Sequence, residues 1–235
     1  MLPIIRHNIL ISFIALALSV LFFEYSNVDL TIQNHFYNHA THRWLFARDE
    51  PALKFIFNDG IKGLLVGFVL VVFGALVFFR KTAIIRSYQK GLLVVLLSAI
   101  LTPSVVGELK TITNMPCPRD LSAFNGHYPS IKLFDHYPQG FYQAEKMRCY
   151  PAGHASGGFA LLSLFYLFKT PKNRRTALLS GMGVGWSIGF YKIFIGDHFL
   201  GHTVVTMLLA WLIASIIAWF IEAIGSMQKN TFIDM

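Results

Sequence analysis

The feature that most restricts the fold of this chain is a series of long apolar runs separated by polar segments. Crossing the hydrocarbon core of a bilayer takes about 20 helical residues. Six runs approach this length, at residues 8–23, 61–79, 91–106, 151–168, 177–195 and 203–221. The fourth run does so only if its helix begins near Pro151, and proline suits a first helical position. We therefore predict an all-α integral membrane bundle of six transmembrane helices, formed by residues 1–235 as one domain.

The composition agrees with a membrane protein. Of the 235 residues, 54% are hydrophobic and only 14% are charged, which is unusual for a soluble domain. The formal net charge of +8 could indicate a nucleic-acid partner, but the basic residues cluster between the apolar runs. Membrane topology explains this clustering better, so we expect membrane lipids as partners and no nucleic acid. The first run lacks the small residues of a signal cleavage site and is expected to be a retained helix.

Two short connections between these runs are densely basic and contain no acidic residue. They are RKTAIIRSYQK, residues 80–90, and KTPKNRR, residues 169–175. Basic residues concentrate in the cytoplasmic loops of membrane proteins, so we expect both connections to face the cytoplasm. An even number of spans then places both termini in the cytoplasm and segments 24–60 and 109–150 outside. We predict a multi-pass protein of the plasma (inner) membrane with a long loop on its outer (periplasmic) face that carries part of an active site.

Three clusters of charged and histidine residues fall at the same outer end of the predicted helices. Lys110 and Arg119 follow the third run, PAGHAS at residues 151–156 opens the fourth, and YKIFIGDHFLGH at residues 191–202 follows the fifth. Each cluster alone is weak evidence, because a boundary lysine commonly snorkels and a lone histidine is commonly an interface residue. Their convergence on one face of the membrane predicts a functional site.

The residue types at this site match the needs of phosphoryl transfer. A glycine-lined helix N-terminus binds anions through free backbone N–H groups and the helix dipole. Nearby cations add attraction for phosphate, and two histidines supply a nucleophile and an acid–base group that titrate near neutral pH. The candidates are Lys110, Arg119, Ala152, Gly153, His154, Lys192 and His198.

These residues resemble the type 2 phosphatidic acid phosphatase superfamily, the membrane relatives of bacterial acid phosphatases and vanadium haloperoxidases. The family motifs are KxxxxxxRP, PSGH and SRxxxxxHxxxD, and the resemblance covers roughly residues 108–205. Lys110 matches the first motif, PAGH at 151–154 matches the second with alanine for serine, and His198 matches the histidine of the third. Charged motif positions differ as well, with Cys117 and Lys192 in place of arginines and His202 in place of the aspartate.

The resemblance implies a two-step mechanism without metal or cofactor. His198 would attack phosphorus in line to give a phosphohistidine, while His154 would protonate the departing alkoxide and then activate water. Lys110, Lys192 and the amides near Gly153 would hold the equatorial oxygens of the phosphoryl group.

Two residues near the substituted positions could take over the missing roles. We expect Arg119, which lies two residues after Cys117, to replace part of the function of the first-motif arginine. His202 would orient the ring of His198 in place of the aspartate. Asp197 could also support His198 if its side chain turns inward.

The chain contains two cysteines, Cys117 and Cys149. They are too far apart in sequence for a CxxC redox or zinc motif, which leaves two unrelated thiols or a single disulfide. Cys117 stands in the first motif and Cys149 directly precedes the second. Given the family resemblance, we expect a disulfide between them that clamps the site in an oxidising compartment.

Other functions fit part of the pattern. HFYNHATH at 35–42 and HFLGH at 198–202 have the HxxxH spacing of metal-dependent membrane hydroxylases and some zinc sites. A binding or transport protein without chemistry, and a phosphotransferase that uses the same histidine, also remain open. The main prediction is a lipid-phosphate phosphatase. Its substrate could be phosphatidate, phosphatidylglycerophosphate, undecaprenyl diphosphate or lipid A, and the sequence leaves the oligomeric state open.

Overall fold

The computed structural model describes residues 2–143 and 145–233, with side chains up to residue 225 in the last helix. It shows a mostly helical chain, which confirms the predicted all-α class apart from one small ribbon. The helices are α1 (Leu2–Tyr25), α2 (Val28–Asn34), α3 (Pro51–Lys54), α4 (Ile61–Phe78), α5 (Ala83–Thr113), α6 (Gly153–Ala160), α7 (Pro171–Phe194) and α8 (Leu200–Ile233). The ribbon pairs β1 (Tyr37–Asn38) with β2 (Arg43–Trp44) in antiparallel fashion.

Several short helical segments of other types connect these elements. A π-helical segment, Phe55–Gly60, joins α3 to α4 into one continuous helix. A 3-10 segment, Leu161–Tyr166, extends α6, and two further 3-10 turns lie at Pro118–Asp120 and Ser122–Phe124. Threonine side chains begin two of the long helices, because Thr82 accepts a hydrogen bond from the Ile85 N–H and Thr170 accepts one from the Asn173 N–H.

Four helical stretches are long and apolar enough to cross a membrane, at Leu2–Tyr25, Pro51–Phe78, Ala83–Asp120 and Leu200–Gly225. They account for the predicted spans 8–23, 61–79, 91–106 and 203–221. The predicted spans 151–168 and 177–195 fall on α6 with its 3-10 extension and on α7, which are not among these four in the described part of the chain. The α-helical part of α6 has only 8 residues. Helix α7 is continuous, but its basic first turn and its glycines lower its hydropathy. The number of six spans therefore stays a prediction.

Helix α8 lies at the centre of the bundle and packs on α1, α5 and α6. One face carries alanines at a spacing of four residues, so that neighbouring helices can approach closely. A polar contact joins three helices there, because the Tyr166 hydroxyl lies 2.7 Å from Ser215 Oγ and accepts a hydrogen bond of 3.0 Å from the Asn8 amide. The buried alanines are Ala210, Ala214 and Ala218.

Helices α6 and α7 approach each other closely at two glycines near the histidines. A Cβ atom placed on Gly158 of α6 would lie 2.8 Å from the Cα of Gly185 in α7. A Cβ on Gly185 would lie 2.2 Å from the Phe159 ring. Glycine is therefore required on both helices, and this contact fixes the distance between the start of α6 and the end of α7.

A long connection between α5 and α6 covers the same end of the bundle. Asn114, in the left-handed conformation, ends α5, and its side chain holds the connection by accepting hydrogen bonds from the Gln143 amide and the Met147 N–H. At the other edge, Glu24 at the end of α1 accepts hydrogen bonds from the backbone N–H groups of Leu133 and Phe134. These contacts hold the connection over the helix ends.

Candidate active site

The end of the bundle beneath this connection brings the predicted site residues together. Lys110 comes from the last turn of α5, His154 from the first turn of α6 and Lys192 from the last turn of α7. His198 lies in the turn between α7 and α8, and its ring centroid is 6.2 Å from that of His154. Residues separated by more than 80 positions in sequence thus form one cluster.

A tight turn after α7 positions His198. Gly196, with a φ of +73°, reverses the chain, and the N–H groups of Asp197 and His198 both donate to the Lys192 carbonyl, at 2.8 and 3.2 Å. The His198 side chain is buried, and its Nε2 has no hydrogen-bond partner among the described residues. Burial lowers the pKa of His198 well below its usual 6.5, so the ring is neutral at physiological pH and one of its nitrogens has a free lone pair.

The first turn of α6 brings backbone amides next to a cation. A Cβ atom on Gly153 would lie 3.1 Å from Lys110 Nζ, so the absence of a side chain lets the ammonium rest against this turn. The first N–H groups of a helix have no carbonyl partner within it and are available to an anion. Gly153 is therefore placed as the sequence predicted, beside both Lys110 and His154.

Ala152 differs from its predicted role. Its N–H donates to Thr206 Oγ1 at 2.8 Å and to the His202 carbonyl at 3.3 Å, and the residue is fully buried. This amide is already occupied by α8, so it is not offered to a phosphate. Ala152 instead fixes α6 to the start of α8, because a buried N–H needs a protein acceptor.

Asp197 lies among three cations. Its carboxylate accepts hydrogen bonds from Lys192 Nζ at 2.9 Å and from the Arg119 guanidinium, and Arg48 Nε lies 3.6 Å from it. Arg119 is also 3.6 Å from Asp120 and donates its backbone N–H to the Gly196 carbonyl. The structure thus brings Arg119 to the site, while Asp197 turns toward the cations and makes no hydrogen bond to His198 among the described residues.

Arg48 is a third cation near Asp197, and the sequence did not predict it. It precedes α3 in an exposed segment and belongs to none of the recognised motifs, and no spacing pattern in the sequence distinguishes it from other basic residues. Three positive side chains around one carboxylate leave a net positive charge, which favours an additional anion at this position.

His202 lies one helical turn after His198, with ring centroids 5.8 Å apart. Its ring is buried edge-on against Tyr150 and Phe199, and its nitrogens make no hydrogen bond to another side chain among the described residues. His202 therefore packs beside the nucleophile position without an ion pair of the kind that the family aspartate would make.

Cys117 and Cys149 form a disulfide, with an S–S distance of 2.10 Å and a sequence separation of 32. Cys149 Sγ lies 3.5 Å from Nδ1 of His198, so the bridge packs directly against that ring. Cys149, His198 and His202 have ligand atoms within 4.8 Å of one another, an arrangement that could hold a metal ion. A disulfide sulfur is not a thiolate, however, and only the thiolate is a metal ligand.

The histidines of the HxxxH segment at 35–42 make local hydrogen bonds, and the ring of His39 also stacks on Phe124 with centroids 6.1 Å apart. Nδ1 of His35 lies 2.8 Å from the Thr31 carbonyl, Nε2 of His39 lies 3.0 Å from the Asn34 side-chain oxygen, and all three histidines of segment 35–42 are exposed. Among the described residues they do not belong to a group of three candidate ligands. The predicted metal-enzyme alternative thus has no support from this segment.

An apolar cavity of about 530 Å³ opens from the site between α4, α5 and α6. Lys110, Gly153 and His154 line one part of it, and the rest of the wall is mainly aliphatic and aromatic. Three further polar residues, Asn58, Lys62 and Ser156, also line this cavity, and the Ser156 hydroxyl donates to the Gly153 carbonyl at 2.7 Å. A second cavity, of about 700 Å³, lies between α1, α5, α8 and the long connection and is lined by neither His154 nor His198.

Comparisons with known proteins agree with this arrangement. The PAP2 superfamily model matches residues 91–225, a range that includes Lys110, His154 and His198. The chain is also similar to a lipid A 4'-phosphatase of Francisella tularensis subsp. novicida (strain U112). The two are 24% identical over 225 residues, which cover 90% of this chain and 92% of that protein. No solved structure shows a significant match.

Proposed function

Because the chain belongs to the PAP2 superfamily, we propose that it is a membrane lipid-phosphate phosphatase that works through a phosphohistidine intermediate. The observation that carries this proposal is that polar and apolar groups line one cavity. Lys110 and His154 line the same cavity as a continuous set of apolar side chains. A phosphate bound at the polar part would leave its hydrocarbon chain in the apolar part, as a lipid substrate requires.

In the first step, Nε2 of His198 attacks phosphorus, and the bond from phosphorus to the leaving oxygen breaks. The neutral, buried ring has the lone pair that this step needs. His154, on the other side of the cluster, gives a proton to the departing alkoxide. In the second step His154 takes a proton from water, whose oxygen attacks phosphorus and releases His198 and inorganic phosphate.

The positive charge of the site stabilises the phosphoryl group during transfer. Lys110 and the first amides of α6, from Gly153 onward, face one side of the His154–His198 pair. Lys192 and Arg119 approach from the end of α7, where Asp197 holds both in place. Their positions are fixed before the substrate binds, so that little reorganisation is needed when charge develops on the equatorial oxygens.

The proposal includes an orientation in the membrane. The two basic connections follow α4 and precede α7, at the end of the bundle opposite to the histidines. With those connections in the cytoplasm, the site faces the outer side of the inner membrane, where an oxidising compartment supports the disulfide. The same arrangement gives the cavity access to lipids of the outer leaflet.

Phosphate release from defined lipids tests the proposal. The detergent-purified protein is assayed with phosphatidate, phosphatidylglycerophosphate, undecaprenyl diphosphate and lipid A, with and without a chelator. We expect release from at least one lipid, no effect of the chelator, and loss of activity in His198→Ala. His39→Ala, which removes an exposed histidine that lines neither cavity, serves as the matched control.

The same assay separates the alternatives. A His198→Ala protein as active as wild type would overturn the phosphohistidine mechanism, and activity lost with chelator and restored by iron or zinc would support a metal enzyme. Acid-labile radioactive phosphate trapped on wild type, and absent from His198→Ala, would identify the intermediate directly. Transfer to an acceptor without phosphate release would show a phosphotransferase instead.

A further inference from the structure

A pair of polar side chains lines the apolar cavity outside the family motifs. Asn58 and Lys62 lie on the continuous helix from Pro51 to Phe78, four residues apart, and both line the cavity that reaches His154. They precede residues 91–225, the range matched by the family model. Their presence on the α4 side of a largely apolar wall, outside that range, therefore calls for an explanation specific to this chain.

Asn58 has an unsatisfied hydrogen-bonding group. Its side-chain oxygen is buried and has no donor among the described residues. Leaving a buried amide oxygen without a partner destabilises a folded protein, and an apolar residue of similar size would avoid this cost. Asn58 also lies within the π-helical segment Phe55–Gly60, and single π-helical turns inside α-helices occur frequently at functional sites.

An aromatic contact fixes this segment relative to the catalytic cluster. The ring of Phe57 stacks on Tyr191 with a centroid separation of 4.8 Å and an interplanar angle of 16°. Tyr191 directly precedes Lys192 at the end of α7. Asn58 is thus held at a defined position beside the proposed phosphate site. A side chain that recognises a substrate needs such a fixed position.

Lys62 makes this part of the cavity positive. It is exposed at the first turn of α4 and lies one turn beyond Asn58. The described residues that line the cavity include two lysines, Lys62 and Lys110, and no carboxylate. Lys110 is assigned to the phosphate that reacts, which leaves the charge of Lys62 for another anionic group.

Resting on the proposed function, we propose that Asn58 and Lys62 form a headgroup subsite beside the catalytic histidines. The subsite selects lipid phosphates whose headgroup carries a free hydroxyl near the reacting phosphate and a second anionic group. Asn58 exchanges hydrogen bonds with the hydroxyl, and Lys62 pairs with the second anion. A phosphorylated glycerol or sugar headgroup on a phosphodiester or diphosphorylated lipid has both groups.

Three lipid substrates distinguish the contact made by Asn58 from the contact made by Lys62. Phosphatidate has neither a free hydroxyl nor a second phosphate, undecaprenyl diphosphate has a second phosphate only, and phosphatidylglycerophosphate has both. We expect Asn58→Leu to lower kcat/KM about tenfold for phosphatidylglycerophosphate alone. Lys62→Met should lower it about tenfold for both lipids with a second phosphate. Lys54→Met removes an equal charge one turn before Asn58, outside the cavity lining, and should leave all three rates unchanged.

A stability measurement distinguishes binding from a structural role. If Asn58 serves a ligand, Asn58→Leu should unfold at the same temperature as wild type or higher in the absence of lipid, because the unpaired oxygen is removed. Equal loss of activity on all three lipids, or no change on any, would overturn the subsite.

A binding measurement tests the subsite independently of the proposed phosphatase activity. Affinity for phosphatidylglycerophosphate is measured in nanodiscs with His198→Ala as the parent protein, which does not depend on turnover. We expect Asn58→Leu to weaken this affinity about tenfold, with phosphatidate binding unchanged. If wild type releases no phosphate but the binding difference is present, the proposed function fails and the subsite stands. If turnover is present without a binding or rate difference, the subsite fails alone.

Discussion

Replacing Gly158 with alanine should separate α6 and α7, the two helices that carry the proposed catalytic groups His154 and Lys192. The new Cβ would lie 2.8 Å from Gly185 Cα, 3.0 Å from Gly185 N and 3.0 Å from Ile188 Cδ1. Two of these atoms belong to the backbone of α7, so no side-chain rotation can relieve the contact. Ordinary van der Waals contact begins near 3.4 Å, and α6 must therefore move away from α7 by about 0.6 Å.

The displacement acts on both stability and rate. Overpacking of this kind costs about 1–3 kcal/mol, and the higher helix propensity of alanine offsets about 1 kcal/mol of it. His154 lies one turn before Gly158 on α6, while Lys192 lies two turns after Gly185 on α7. The helix shift is thus passed to the distance between the acid–base group and the phosphate site. Since a misplacement of about 1 Å can lower a rate ~100-fold, we expect kcat to fall about 10- to 100-fold.

Gly183→Ala is the matched control, because a Cβ at Gly183 on α7 has no atom within 4 Å. It should be as active as wild type and up to about 1 kcal/mol more stable. The assay is phosphate release in detergent, with thermal unfolding measured on the same samples. If Gly158→Ala were as active and as stable as Gly183→Ala, the close packing of α6 on α7 could not be what positions His154.

Three further predictions concern single groups. Because burial lowers the pKa of His198, protonation of the nucleophile should reduce kcat/KM only well below pH 6.5; an acidic limb at or above that value would contradict a buried, neutral ring. Burial raises the pKa of Asp29 to about 6 from its usual 3.8, so the folded chain binds this proton more tightly than the unfolded chain. The resulting stabilisation is complete below pH 3.8 and is lost as the pH rises through about 6. Asp29→Asn, which keeps an acceptor for the Gly201 N–H at 2.8 Å, should therefore unfold at a higher temperature than wild type at pH 8 and at the same temperature at pH 4, whereas a pH-independent difference would argue against this shift. The bridge between Cys117 and Cys149 spans a sequence separation of 32. Replacing both cysteines with serine should cost about 2–4 kcal/mol of stability and lower activity. Reductant should then affect the wild type but not the variant.

The positions of the long helices could be predicted from the sequence because they depend on local properties. An apolar run of sufficient length forms a helix in any bilayer, since its backbone groups must be satisfied within the segment. Helices α1, α5 and α8 accordingly cover the runs predicted for them. The start of α6 at Gly153 follows from the same kind of signal, a proline and small residues before an apolar run. Hydropathy alone could not show that α6 tightens into a 3-10 segment after 8 residues.

The family motifs also indicated which histidines and cations lie together at one end of the bundle, because their spacing suits one shared geometry. Lys110, His154, Lys192 and His198 converge at one end of the helices as expected. The motifs could not indicate that the N–H of Ala152 is taken by Thr206. Whether a backbone amide is free depends on which side chain of another helix reaches it.

By itself, the sequence determined that this chain is a helical membrane protein with histidines and cations at one end, because helix formation and membrane insertion are properties of each segment. The tertiary structure alone decided how those groups pair. Asp197 binds Lys192, five residues away, but also Arg119, 78 residues away, and attracts Arg48 from before α3. Such pairing depends on distance between segments that meet only when the helices pack, since the attraction between charges falls with their separation. The cavity that joins Asn58 to His154 exists for the same reason, because its walls come from α4, α5, α6 and α7.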